Sequence, residues 1–148
     1  MVIIKNSQRR IDLNLSRIKK DTSRALNLLS LKRAELGISF VGDRRMSSLN
    51  KLFRGIDKTT DVLSFPIYNS QKEFPKKGSF LIGDIVIDPN RALSQSKAYG
   101  LSLHEETIRL IIHGLLHLMG YDHERSLYME RIMRKKEAEL LYALTGKE

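Results

Sequence analysis

Residues 111–123 read Ile-Ile-His-Gly-Leu-Leu-His-Leu-Met-Gly-Tyr-Asp-His, and histidines at this spacing can do metal chemistry. His113 and His117 are four residues apart, so on an α-helix both imidazoles lie on one face, a turn apart, and can converge on one ion. Gly120 can take the left-handed conformation that ends a helix, and the Gly-Tyr-Asp segment then turns the chain so that His123 returns as a third ligand. Three nitrogen ligands leave the fourth position of a tetrahedral Zn2+ to water, which is the pattern of a catalytic site. A lone histidine on an apolar helix is ordinarily a hydrogen-bonded core residue. Here Leu110, Ile111, Ile112, Leu115, Leu116, Leu118 and Met119 make the helix apolar nearly all round, hence central and buried. Unpaired imidazoles in such a place would be costly, so metal binding by His113, His117 and His123 is the better explanation.

The same spacing occurs in the metzincin zinc proteases, with one departure. Gly114 stands where those enzymes carry the glutamate that activates the zinc-bound water. The ligand set survives and the proteolytic base does not, which demotes peptide hydrolysis. Zinc lowers the pKa of its bound water to roughly 7, so hydrolysis of another bond stays open if a base and a charge stabiliser come from elsewhere. Asp84 and Asp122 are candidates for that base.

Other elements must position this helix. Val2 to Lys5 is a β-branched run expected as a first strand, and an amphipathic helix follows within residues 13–31, with Ile18, Ala25 and Leu26 on its apolar stripe. A second strand is expected over Gly37 to Val41. Asp43 can cap the next helix, whose apolar side is Met46, Leu49, Leu52 and Phe53 and which Arg54-Gly55 ends, a cation beside the negative end of the dipole. Val62 to Ile67 reads as a third strand, and Pro66 favours an edge position. The segment from Asn69 to Ser79 is expected to be a mobile loop, followed by a fourth strand over Phe80 to Ile87. Within that strand Asp84 wants a partner, either a ligand histidine or a backbone turn. Asp88-Pro89 opens a helix that Gly100 closes, and Ser102 with Glu105 makes a capping box that launches the histidine helix. His104, in its first turn, is expected at the surface. From Ser126 a last amphipathic helix carries Met133, Leu140, Leu141 and Leu144 and should pack over the histidine helix.

The 148 residues make most simply one domain, 1–148, long enough to bury a core. With no cysteine, disulfides, thiolate ligands and a cysteine nucleophile are excluded, and histidine must do the ligation. The apolar start Val2-Ile3-Ile4 is too short for a signal peptide, no segment approaches a membrane span, and a cytoplasmic location is expected. The net charge of +9, from 26 basic and 17 acidic residues, favours polyanionic partners without specifying one. It is uneven, because residues 1–35 hold nine basic residues against three acidic ones.

The chain resembles the YbeY family of bacterial metal-dependent endoribonucleases. The likeness rests on Leu49-Asn50, Phe53-Arg54-Gly55, Thr60-Asp61-Val62-Leu63-Ser64-Phe65-Pro66, Gly83-Asp84-Ile85, Ala98-Tyr99-Gly100 and, above all, the segment from His113 to His123. Residues 49–123 carry it best, and the last helix matches in general character through Met133, Glu137 and Leu141. Leu101 departs from it, where the family often has histidine. The resemblance implies that His113, His117 and His123 bind one Zn2+ and that Arg54 is the functional arginine of a substrate groove. With Arg54, His113 and His117 as catalytic residues, the implied activity is cleavage of single-stranded ribosomal RNA, in 16S rRNA 3′ end maturation and ribosome quality control. Ribosomal RNA, the small subunit, ribosomal proteins and a ribosome-associated GTPase are the implied partners. Two rivals predict otherwise: a non-catalytic ribosome-assembly factor with a structural zinc, and a metalloprotease-like hydrolase. The expected architecture is an α/β sandwich, a mixed sheet of about four strands with helices packed around it, the histidine helix central, and a cleft between that helix and the edge strand.

Overall fold

Strand β2 (Ala34–Phe40) shows why the sheet has the layers it has. Ala34, Leu36, Ile38 and Phe40 are buried while Glu35, Gly37 and Ser39 between them are half exposed, the period-two alternation of a strand with one fully covered face. It pairs in parallel with β1 (Val2–Asn6) and with β4 (Phe80–Ile87), and β4 pairs antiparallel with β3 (Val62–Pro66). The order across the mixed sheet is β1-β2-β4-β3, which makes β3 an edge strand that ends at Pro66, where the missing N–H costs least. The helices are α1 (Leu15–Leu28), α2 (Asp43–Arg54), α3 (Pro89–Tyr99), α4 (Leu103–Leu118) and α5 (Leu127–Thr145). The computed structural model describes residues 1–122 and 126–146.

Two apolar clusters sit on opposite faces of the sheet. The larger joins the inward residues of β2 and β4 to α1, α4 and α5, and the smaller joins Val41, Met46, Leu63 and Val86 beneath α2. Helix α4 is the central one, as its composition requires. Ile108, Leu110, Ile111, Ile112, Leu115, Leu116 and Leu118 are all buried, and α1, α3, α5, β3 and β4 pack around it. Its start is fixed by the expected capping box, in which the Ser102 hydroxyl accepts from the Glu105 N–H at 3.0 Å and the Glu105 carboxylate accepts from the Ser102 N–H at 2.8 Å. Gly114 lies where α4 crosses β4. A Cβ there would come within 3.1 Å of the Ile85 side chain, so this position faces the sheet and any larger residue would push helix and strand apart.

Several local expectations are corrected. Strand β2 begins three residues before Gly37. Asp43 does not cap α2: Gly42 holds the cap position without a side-chain bond, and Asp43, the first helical residue, accepts instead from Asn90 Nδ2 at 2.9 Å. The apolar stripe of α2 runs out onto the surface, where Leu52 and Phe53 are exposed. The loop expected to be mobile is anchored. A 3-10 turn at Gln71–Glu73 has its own capping box, Phe74 packs against Tyr68 and Phe80, and Arg33 donates to the carbonyls of Pro75 and Gly78. His104 is no surface residue either, since its Nε2 lies 2.7 Å from Asp21 Oδ2 and ties α4 to α1.

The cap of α3 carries a pH dependence. Asp88 is wholly buried and accepts from the Asn90 N–H and the Thr59 hydroxyl, each at 3.0 Å. Burial, together with a hydrogen bond shared with Asp43, pushes its carboxyl up from 3.8 to about 6, and the same shared bond lowers Asp43. Because the folded protein holds the Asp88 proton more tightly than the unfolded chain, this group's stabilisation is full below about pH 4 and is lost as pH rises through about 6. Asparagine keeps the cap and cannot ionise. Asp88→Asn is therefore expected to gain in stability on the wild type as pH rises from 4 to 7 in urea unfolding, with the lowered Asp43 carboxyl offsetting part of the gain. An offset equal at the two pH values would contradict the buried-carboxyl account.

Candidate metal and substrate site

The last two turns of α4 present the histidines at the rim of the core. His113 and His117 are half buried, their rings 4.7 Å apart, and their Nε2 atoms stand 3.1 Å from each other. At that distance at most one of the two nitrogens carries a proton, so lone-pair density is concentrated between them. Two nitrogens bound at about 2.0–2.1 Å to a tetrahedral zinc lie roughly 3.3 Å apart, so the spacing of the pair fits chelation of one ion once neither nitrogen carries a proton. Nδ1 of His113 lies 2.9 Å from Oε1 of Glu137 on α5. Glu137 was missed as a site residue, although a signal existed. It falls on the buried stripe of α5, four residues after Met133 and before Leu140, Leu141 and Leu144, where a carboxylate must face α4.

Gly120, at φ +98°, follows the end of α4 as expected, with its N–H donating to the His117 carbonyl at 3.0 Å. His123, the third expected ligand, lies outside the described residues. Among the described residues no group of three His, Cys, Asp or Glu side chains is gathered closely enough to hold a metal, so the two α4 histidines are the part of the expected ligand set that the structure brings together.

The histidines open into a cavity of about 620 Å³ between α4, the edge strand β3 and the end of α2. Arg54, the last residue of α2, lines it with His113 and His117, so three candidates up to 63 residues apart in sequence share one space. Asp61, Ser64 and Asp122 line it as well. The Asp61 carboxylate accepts from its neighbours, the Val62 N–H at 2.8 Å and the Thr60 hydroxyl at 3.3 Å, which fixes its position at the mouth of β3. Of the two aspartates considered as bases, Asp122 is in this cavity and Asp84 is not. Asp84 is exposed on the opposite face of the sheet, in a separate hollow with Lys5, Ser39 and Arg45. Its neighbour Ile85 points at Gly114, and successive strand residues face opposite ways.

Behind the histidines, Glu106 is completely buried and accepts from Arg109 Nε at 2.6 Å, Arg109 Nη2 at 2.8 Å and Gln95 Nε2 at 2.7 Å. These bonds hold the guanidinium of Arg109 above its ordinary pKa, and Arg109 also covers the ring of Tyr99. The pair lies within α4, and it joins α3 to α4 through Gln95 and Tyr99.

Fold and site together define an α/β protein with a histidine pair at the end of its central helix, backed by a carboxylate and facing an arginine across a cavity. The family model for Endoribonuclease YbeY matches residues 3–145, and the chain belongs to that family. Relatives named Endoribonuclease YbeY include those of Leptospira interrogans, 44% identical over 80% of this chain and 92% of the relative, and Aquifex aeolicus, 39% identical over 97% and 91%. That of Persephonella marina is 40% identical over 86% of this chain and 76% of its own length. The solution structure of TM1509 from Thermotoga maritima superposes with a TM-score of 0.70 at 24% identity, covering 99% of this chain and 90% of that one, a likeness of fold. Among the described residues no helix is long and apolar enough to cross a membrane.

Proposed function

We propose that this protein is a zinc-dependent, single-strand-specific endoribonuclease that matures ribosomal RNA, acting at the 3′ end of the small-subunit RNA and in ribosome quality control in the cytoplasm. The observation that carries the reading is the sharing of one cavity by the convergent Nε2 pair of His113 and His117 and by Arg54. His113 and His117, with His123, would hold the metal. Zinc so held supplies Lewis acidity, drawing charge from a phosphoryl oxygen and making a water nucleophile available near neutral pH. Arg54 supplies a planar, permanently charged fork matched to the nonbridging oxygens of a phosphodiester, which gather negative charge in the transition state. Asp61 and Asp122 stand on the cavity wall where a proton from the attacking oxygen can be accepted, and the Ser64 hydroxyl can donate to a phosphate oxygen. Phe53, exposed and packed edge-on against Phe65 at the cavity edge, offers a face on which an unpaired base can stack. A duplex offers no such base, so stacking on Phe53 would favour single strands. The basic balance of the chain suits ribosomal RNA, the small subunit and its proteins, or a ribosome-associated GTPase, as partners.

The test is metal removal. Chelation should abolish cleavage of an end-labelled single-stranded ribosomal RNA fragment, stoichiometric zinc should restore it, and the same fragment annealed to its complement should resist. Cleavage that persists in the metal-free protein would overturn the zinc dependence, and equal cutting of duplex would overturn the strand preference.

A further inference from the structure

We infer that Glu137 is the positioning residue that presets His113 for metal capture. The inference rests on the zinc reading above and goes beyond it. An ionised carboxylate can only accept a hydrogen bond, so the 2.9 Å contact between Glu137 Oε1 and His113 Nδ1 requires the proton on Nδ1. In the neutral ring Nε2 is then left with a lone pair, and Nε2 is the atom that lies 3.1 Å from Nε2 of His117. Without Glu137 the Oε1 contact no longer holds the proton on Nδ1, and a proton carried on Nε2 instead blocks ligation there. The contact is built from two rigid elements. His113 sits in the last turns of a helix packed on both sides, and Glu137 sits mid-helix in α5, flanked on its own face by buried Met133 and Leu141. The partners are 24 residues apart in sequence, so the docking of α5 onto α4 is what orients the first histidine. Helix α5 therefore does more than cover the core: it selects the tautomer of a metal ligand.

The experiment uses the full-length chain and two readouts. In the metal-free protein, long-range proton–nitrogen correlation of the imidazoles reports the His113 tautomer, and zinc affinity is measured by competition with a chelator. The wild type should show Nδ1–H at His113. Glu137→Ala should shift that ring toward Nε2–H and weaken zinc binding about 10- to 100-fold, the usual cost of losing a carboxylate behind a ligand histidine. Glu137→Gln, whose amide oxygen can still accept from Nδ1–H, should keep the tautomer, recover part of the affinity and serve if the alanine variant does not fold. Glu139→Ala, an exposed carboxylate on the same helix, should change neither readout. A Glu137→Ala protein with unchanged tautomer and zinc affinity within twofold of the wild type, or a Glu137→Gln protein whose His113 ring carries its proton on Nε2, would overturn the assignment. If Glu137→Ala shifts the tautomer while even the wild type binds no zinc, the zinc reading falls and the role of Glu137 in orienting His113 stands.

Discussion

Arg54→Ala is expected to fold like the wild type and to cleave RNA about 100- to 1,000-fold more slowly, a loss of roughly 2.7–4 kcal/mol in transition-state stabilisation. The two halves of this expectation have separate causes. Arg54 is exposed at the end of α2, and among the described residues it makes no ion pair, so the fold depends on it only through the helix dipole, worth about 0.3–1 kcal/mol. Arg54 instead lines the cavity that His113 and His117 share. Charge accumulates on the phosphate only as the reaction proceeds, and a group that meets it there lowers the barrier more than it tightens substrate binding. Single-turnover cleavage should therefore fall far more than RNA affinity. Arg54→Lys keeps the charge without the bidentate fork and should fall between the two. An alanine variant that cuts within threefold of the wild type would remove Arg54 from the chemistry.

Glu106→Ala is expected to destabilise the protein by about 3 kcal/mol in urea unfolding. Breaking a buried pair by deleting one partner leaves the other charge uncompensated, at a cost of about 3–5 kcal/mol. The low end applies because the Arg109 side chain keeps 29% of its exposure and can turn partly to solvent, whereas Glu106 has 0%. Gln95 loses its acceptor as well. Replacing both partners, as Glu106→Leu with Arg109→Met, should recover most of the loss, since no charge is then stranded. A single substitution costing under about 1 kcal/mol would show that the pair contributes little to joining α3 and α4.

What could be read from the sequence was what short-range chemistry writes into it. β4 was expected over its observed span, Phe80–Ile87, and the Asp88-Pro89 start, the Gly100 stop and the Ser102–Glu105 capping box are local signals that tertiary contacts had no reason to override. The apolar surround of His113 and His117 announced a buried central helix for the same reason. The direction in which Asp84 points was not legible. The pairing of β2 with β4 shifts register between Glu35 and Leu36, and such an irregularity changes which residues of a strand reach a given face. Contacts across the fold were hidden as well. The partner of His104, Asp21, is 83 residues away in sequence, and the contact of Glu137 with His113 exists only through the packing of α5 on α4. Nor did apolar periodicity reveal that Leu52 and Phe53 stay exposed, Phe53 meeting only the edge of the Phe65 ring on β3 among the described aromatic rings.

The central claim is that the α4 histidines and Arg54 form one catalytic site, and parallel zinc analysis and RNA cleavage on wild type, His113→Ala and Arg54→Ala test it most directly. All three are purified identically and checked for cooperative unfolding. The account predicts that Arg54→Ala retains one zinc per chain and loses cleavage, while His113→Ala loses both, with wild type alone cutting single-stranded ribosomal RNA. Equal cleavage by all three proteins would contradict it.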